Sequence, residues 1–174
     1  MNAIELYRNL LRGAHDFLER TVGDVTPEQL NWDPPGNAFS IGANYVHVVA
    51  SEDMGIQRLL RGKEPLATTT WAGKLGAPEP PPMGPGVDLK GWSRRVKLDA
   101  GALRRYAEAV YAATDDHLAS LTPEALTRPL DLSQFGFGQQ SVLFILSALL
   151  ANASLHTGEI SCLKGIQGMK GYPM

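Results

Sequence analysis

From Leu132 to Gly158 the chain carries no Asp, Glu, Lys or Arg, and the centre of that gap, Val142 to Ala151, reads VLFILSALLA. A stretch of this kind either crosses a bilayer or sits inside a protein core. The dense apolar run is shorter than the roughly 18 residues a bilayer requires. Gln139, Gln140, Asn152 and His156 also bracket it, so a membrane partner is not expected. Val142, Ile145, Leu146, Leu149, Leu150 and Ala153 recur at helical spacing, while Leu143, Phe144 and Ala148 fill the other faces. The expectation is a central helix buried nearly all round.

Three further segments read as helices. The first runs from an Asn2 N-cap through Ile4, Leu6, Leu10, Leu11, Ala14, Phe17 and Leu18 to a stop near Gly23. The second opens at Ser40, carries Ile41, Tyr45, Val48, Val49, Ile56, Leu59 and Leu60 on one broad stripe, and ends near Gly62. The third is expected as one helix from about Asp88 to about Leu121, with Trp92, Val96, Leu103, Tyr106, Val110 and Leu118 at helical spacings. Nothing alternates with period two, so the fold class is all-α, a bundle of four long helices. With 174 residues, 44% of them hydrophobic, the chain suits one domain spanning residues 1–174.

A weak internal repeat points to two similar halves. Thr26-Pro27-Glu28-Gln29-Leu30 follows the first helix and Thr122-Pro123-Glu124-Ala125-Leu126 follows the third. In each, Thr can cap, Pro suits the first helical position and the acid favours a short helix's N-terminal end. Between the second and third helices lies a long connection, residues 61–87. Within it Ala77 to Gly86 reads APEPPPMGPG, and five prolines in ten residues cannot sit inside a helix. The reading is a stiff crossover draped on the bundle, with a partner-binding loop as its functional alternative.

Sixteen Lys and Arg against 18 Asp and Glu leave a net charge of −2, which gives no basic field for a phosphate backbone, so nucleic acid is not an expected partner. The basic run Lys90, Arg94, Arg95, Lys97, Arg104 and Arg105 reads as a solvated face. Met1 to Glu5 shows no basic segment followed by an apolar one, and a cytoplasmic protein is expected. Cys162 is the single cysteine, so no intrachain disulfide can form, and its apolar context reads as a small core residue.

Among the four histidines, His47 lies on a face with Ser40, Asn44, Ser51 and Arg58, offset from the hydrophobic stripe, where it could look into a polar cleft. His156 follows Asn152 by four residues, which stacks both side chains on one face of the last helix. Residues on facing helices of a bundle can meet inside it to form a metal or catalytic site. His15 and His117, beside Asp16 and after Asp115 and Asp116, read as surface groups. Tyr45, Trp71, Glu52 and Asp53 are cleft neighbours at most, the two acids reading as solvated charges. A di-iron site would need Glu-x-x-His on two helices, and here only His156-x-x-Glu159 occurs, in reverse order. No G-x-S-x-G elbow, P-loop or G-x-G-x-x-G is present.

The segment Val25 to Gly62, VTPEQLNWDPPGNAFSIGANYVHVVASEDMGIQRLLRG, resembles the first half of a DinB/YfiT-like protein. The segment from Ser141 to Gly165, with Leu155-His156-Thr157-Gly158-Glu159-Ile160, resembles that family's last helix, whose usual signature is H-x-x-x-H-x-G-Q. The resemblance implies an up-down-down-up four-helix bundle, frequently a homodimer, with a divalent metal such as zinc, nickel or manganese held by three side chains. It also implies a small-molecule substrate and, by analogy with thiol-dependent S-transferases of the family, a low-molecular-weight thiol.

Carried over by position, His47 matches the ligand on the second helix and His156 the last histidine of the fourth. Asn152 stands where the family's other histidine would be, and a neutral amide oxygen is a poorer ligand than imidazole or carboxylate. Glu159 stands at the family's Gln, either as a substitute third ligand or as an acceptor that orients His156. Two readings follow. One is a metal-dependent enzyme, a thiol S-transferase or a hydrolase. The other is a non-catalytic ligand-binding or interaction protein with a degenerate metal site.

Overall fold

A computed structural model describes residues 2–82, 84 and 86–174, and shows a mostly helical chain. Helix α1 spans Ala3–Val22, α2 Pro27–Leu30, α3 Ile41–Asp53, α4 Leu89–Arg95, α5 Ala100–Ala119 and α6 Val142–Ile166. Strands β1, Pro129–Asp131, and β2, Gln139–Ser141, form a small antiparallel hairpin that the sequence pattern did not announce. Of the long helices, α1 and α3 each pack against both α5 and α6. Met83 and Pro85, inside the proline-rich stretch, lie outside the described residues.

The helix starts follow from local chemistry. Asn2 and Glu5 form a reciprocal capping box on α1, and Thr26 and Gln29 form another on α2. Ser40 accepts the Ala43 N–H at the start of α3. The second Thr-Pro-Glu copy makes only a 3₁₀ turn, Pro123–Thr127, without a side-chain cap.

Two expectations about helices are corrected. The third helix is two: Val96 is extended, and Val96 and Leu98 both enter the core while Lys97 faces out. Asn31 holds this extended piece as a neighbouring strand would, accepting the Leu98 N–H at 2.8 Å and donating to the Leu98 carbonyl at 3.0 Å. Asp99 then caps α5 through the Ala102 N–H. The helix buried nearly all round is α3, where 11 of the 13 residues are buried, and not α6. On α6, Leu143 and Leu155 face solvent. By length and composition alone α6 could cross a membrane, but its buried stripe packs on α1 and α3.

Burial also overturns the surface reading of three charged or titratable groups. Glu52, Asp53 and His15 are all buried. Glu52 accepts the Thr114 hydroxyl at 2.6 Å and lies 2.7 Å from His15 Nε2, whose ring stacks on Tyr111. Asp53 accepts the Tyr106 hydroxyl at 2.8 Å and the backbone N–H groups of Leu66 and Ala67, both at 2.9 Å. The long connection is therefore tied to the bundle at its start, and Trp71 packs against Tyr106 further along. Cys162, expected in the core, is exposed, because α6 turns that face toward solvent.

The α3 helix continues as a π-helical segment, Met54–Leu60, where the wider turn shifts which side chains face α6. Arg8 and Arg12 of α1 clamp Asp115 of α5 at 2.9 and 2.8 Å. Their hydrogen bonds hold the Asp115 carboxyl well below the usual carboxylate range.

Two stability measurements test this account. Asp53→Ala strands three donors in the core and is expected to cost about 3 kcal/mol in chemical denaturation, with Asp53→Asn costing less because one acceptor oxygen remains. For Asp115, a depressed folded-state pKa means stabilisation that is present above the unfolded value and lost as pH falls through the folded one. The melting-temperature deficit of Asp115→Asn against the parent should accordingly be full at neutral pH and shrink below about pH 4.

Candidate functional site

The seam between α3 and α6 collects the polar residues that the core does not use. On α3, Asn44, His47 and Ser51 share a face at three- and four-residue spacing. On α6, Asn152, His156 and Glu159 do the same. The structure thus brings His47, His156, Asn152 and Glu159 to one seam. Tyr45 instead donates to Glu19 at 2.7 Å, Glu52 and Asp53 serve the core, and Arg58 turns away to Glu64.

The geometry fixes the tautomer that a neutral His156 adopts. Its Nδ1 lies 2.7 Å from Glu159 Oε2 and 3.1 Å from Asn44 Oδ1. The Asn44 amide nitrogen donates to the Ser40 carbonyl, which orients the amide with its oxygen toward the ring. Two acceptors at Nδ1 require a proton there, so Nε2 of the neutral ring is left as the lone-pair nitrogen. Asn44 is fully buried, and its role was missing from the sequence reading although its spacing to His47 was visible.

His47 meets His156 edge to face, ring centroids 4.9 Å apart and planes at 75°. Burial, and then repulsion from a charged His156, lower its pKa against a smaller opposing pull from Glu159. His47 is therefore a neutral imidazole at pH 7.

Two cavities open along the α3–α6 seam, reaching residues within about a turn of the histidines but not lined by the histidines themselves. One, about 280 Å³, is lined by Phe39, Asn44, Glu159, Cys162 and neighbours. The other, about 330 Å³, includes Ser51 and Asn152 among mostly apolar walls. Cys162 was not foreseen as a cleft residue; its place three residues past Glu159, hence on the same side of α6, is the signal that could have found it.

The donor chemistry can be compared with a divalent ion. Two imidazoles on one tetrahedral ion, with nitrogen at about 2 Å, place their ring centroids about 5 Å apart, which the observed pair matches. A carboxylate on the far nitrogen of a ligating histidine is also the usual arrangement, and Glu159 supplies it. Among the described residues no three His, Cys, Asp or Glu side chains gather as an ion-holding group. A third donor would be the neutral Asn152 oxygen, one turn before His156. The two imidazoles suit an ion, while a neutral amide as third donor would give less grip than a charged or imidazole one.

The pattern of the DinB superfamily matches residues 10–160, and the chain belongs to that superfamily. Its fold is similar to that of a conserved protein from Enterococcus faecalis known from a crystal structure, with a TM-score of 0.81 at 20% identity over 97% of this chain and 99% of that one. No curated protein is significantly similar to the chain.

The electrostatics of the pair can be read in metal-free protein by following the imidazole carbon-bound protons by NMR. His47 should titrate below the ordinary histidine value, and His156→Ala should move it upward by removing that neighbour's repulsion.

Proposed function

We propose that this protein is a small-molecule enzyme of the DinB superfamily assisted by an exchangeable divalent ion at the α3–α6 seam. The observation that carries the reading is the His47–His156 pair, with His156 held through Nδ1 by Glu159 and its Nε2 left free. His47, His156 and Asn152 would hold the ion, while Glu159 orients His156. When bound, zinc, nickel or manganese would lower the pKa of a water or thiol in its open position.

The chain's own contribution is positioning. Asn44 and Glu159 hold the His156 ring through Nδ1 and so aim its Nε2 away from them, while burial favours the neutral form of His47. The two flanking cavities favour a reaction with two small partners over a simple hydrolysis. A thiol-dependent S-transfer fits, with a low-molecular-weight thiol on the Glu159 side and its electrophile on the Asn152 side.

The ring of contacts among α1, α3, α5 and α6 supports the up-down-down-up bundle. Exposed Leu6, Leu10 and Leu143, on helices joined by the Tyr7–Ser147 hydrogen bond, would be covered in a homodimer. A free exposed thiol at Cys162 suits the reducing cytoplasm. One observation favours a second reading, binding without catalysis: Asn152 in place of an anionic or imidazole donor weakens any ion.

Calorimetric titration of chelator-treated protein with Zn²⁺, Ni²⁺ and Mn²⁺ separates the two. The expected result is one ion per chain for the parent, none for His47→Ala, and binding at least about tenfold tighter for Asn152→His. Glu159→Gln should keep the stoichiometry and weaken affinity about tenfold. A parent that binds no ion, with Asn152→His restoring it, would give the non-catalytic reading.

A further inference from the structure

The groove on the Asn152 side has a composition that says what enters it. Met54, Leu59, Phe144 and Leu149 supply apolar walls, and Ser51 and Asn152 are its polar edge toward the histidines. Among the described residues no Asp, Glu, Lys or Arg lines it. At about 330 Å³ it lies at the small end of ligand-binding pockets. Gly55 makes the close approach that forms its floor, since a Cβ there would stand 3.1 Å from Leu149.

Two features bear on what the groove could hold. Phe137, at the tip of the β1–β2 hairpin, lines the groove and packs on Phe144 at a ring separation of 5.8 Å, yet remains 56% exposed. It is flanked by Gly136 and Gly138, at φ 81° and 62°, so the tip has a backbone that other residues rarely adopt. The second feature is Asn152, half-buried on the groove's polar edge, whose amide is not among the buried polar atoms left without a partner and so stays open to solvent or a ligand. An amide at the rim of an apolar groove has both donor hydrogens and an acceptor oxygen to offer.

We propose that this groove binds the apolar part of a neutral, carbonyl-bearing small molecule, with Phe137 covering the chain or ring and the Asn152 amide pairing with the carbonyl. The proposal rests on the reading of the α3–α6 seam as a small-molecule site and names the chemical class of its substrate. Neutrality follows from the lining, because an ionised head drawn into this groove would lose water without gaining a counter-charge. A carbonyl bound at Asn152 lies on the side of the seam where the histidines stand, and its apolar remainder fills the space under Phe137.

The test uses the full chain and n-octanamide, with octanoate and n-octylammonium as charged analogues, followed by ¹⁵N and methyl NMR shifts. Octanamide is expected to perturb residues 54–59, 137 and 144–152, and both charged analogues to bind at least tenfold more weakly. Ala148→Trp, on an exposed stretch of the groove wall, should abolish the shifts in a protein that still shows the parent's dispersed spectrum. Asn152→Leu should weaken octanamide about tenfold. Absence of octanamide binding, equal binding of octanoate, or undiminished binding by Ala148→Trp would each overturn the proposal. So would sedimentation showing a dimer that Ala148→Trp dissolves, which would assign the groove to a second copy of the chain. His47→Ala separates this proposal from the ion: octanamide binding retained there while the parent binds no metal would sink the metal reading alone. Metal binding by the parent without octanamide binding would sink this one alone.

Discussion

Two adjacent buried carboxylates on α3 lock that helix in place. Glu52 reaches His15 of α1 and Thr114 of α5, while Asp53 reaches Tyr106 of α5 and the backbone of the crossover at Leu66 and Ala67. An unpaired charge in a core is far more costly than a shifted apolar contact, so α3 cannot rotate or slide without breaking both sets. Because α3 is buried nearly all round, hydrophobic packing alone would leave its rotation weakly specified. The carboxylates supply the missing specification, and His47, little more than one turn earlier, is thereby aimed at α6.

Local signals in the sequence were readable where local chemistry decides the structure. The caps at Asn2, Thr26 and Ser40, the Thr-Pro-Glu start of α2 and the stops near Gly23 and Gly62 all depend on residues a few positions apart. The face carrying Asn44, His47 and Ser51 was likewise visible as spacing. The break between α4 and α5 was not, because it depends on Asn31, a residue far away in the chain that completes the hydrogen bonds of Leu98. Apolar character also misled as a guide to burial. The most apolar helix, α6, leaves Leu143 and Leu155 exposed, whereas α3 buries Asn44, Glu52 and Asp53. A polar residue can be central only if its partner is, and those partners, His15, Thr114, Tyr106 and His156, are all on other helices.

The same limit applies at the seam. Sequence spacing could place Glu159 near His156 but could not say whether it would face a metal or the ring. The contact at Nδ1 and the buried Asn44 beside it favour the orienting role. Asn44 is set in turn by the Ser40 carbonyl, so the N-cap region of α3 reaches through one amide to the tautomer of a histidine on α6. A helix start and a site property share residues here, which is why substitutions at Ser40 or Asn44 bear on both.

Along the seam the polarity runs in one direction. Glu159 and Cys162 line the cavity on one side of the histidines, and an uncharged, largely apolar groove lies on the other. Asn152 stands at the boundary. A histidine or carboxylate at that position would grip an ion more strongly, but each would bring a titrating or charged group to the mouth of a groove that has none. An amide keeps the groove neutral and would still offer an oxygen to an ion and hydrogens to a carbonyl. The weak donor at residue 152 and the uncharged groove are thus two consequences of a single side chain, and the proposed site would trade ion affinity against the kind of molecule the seam admits.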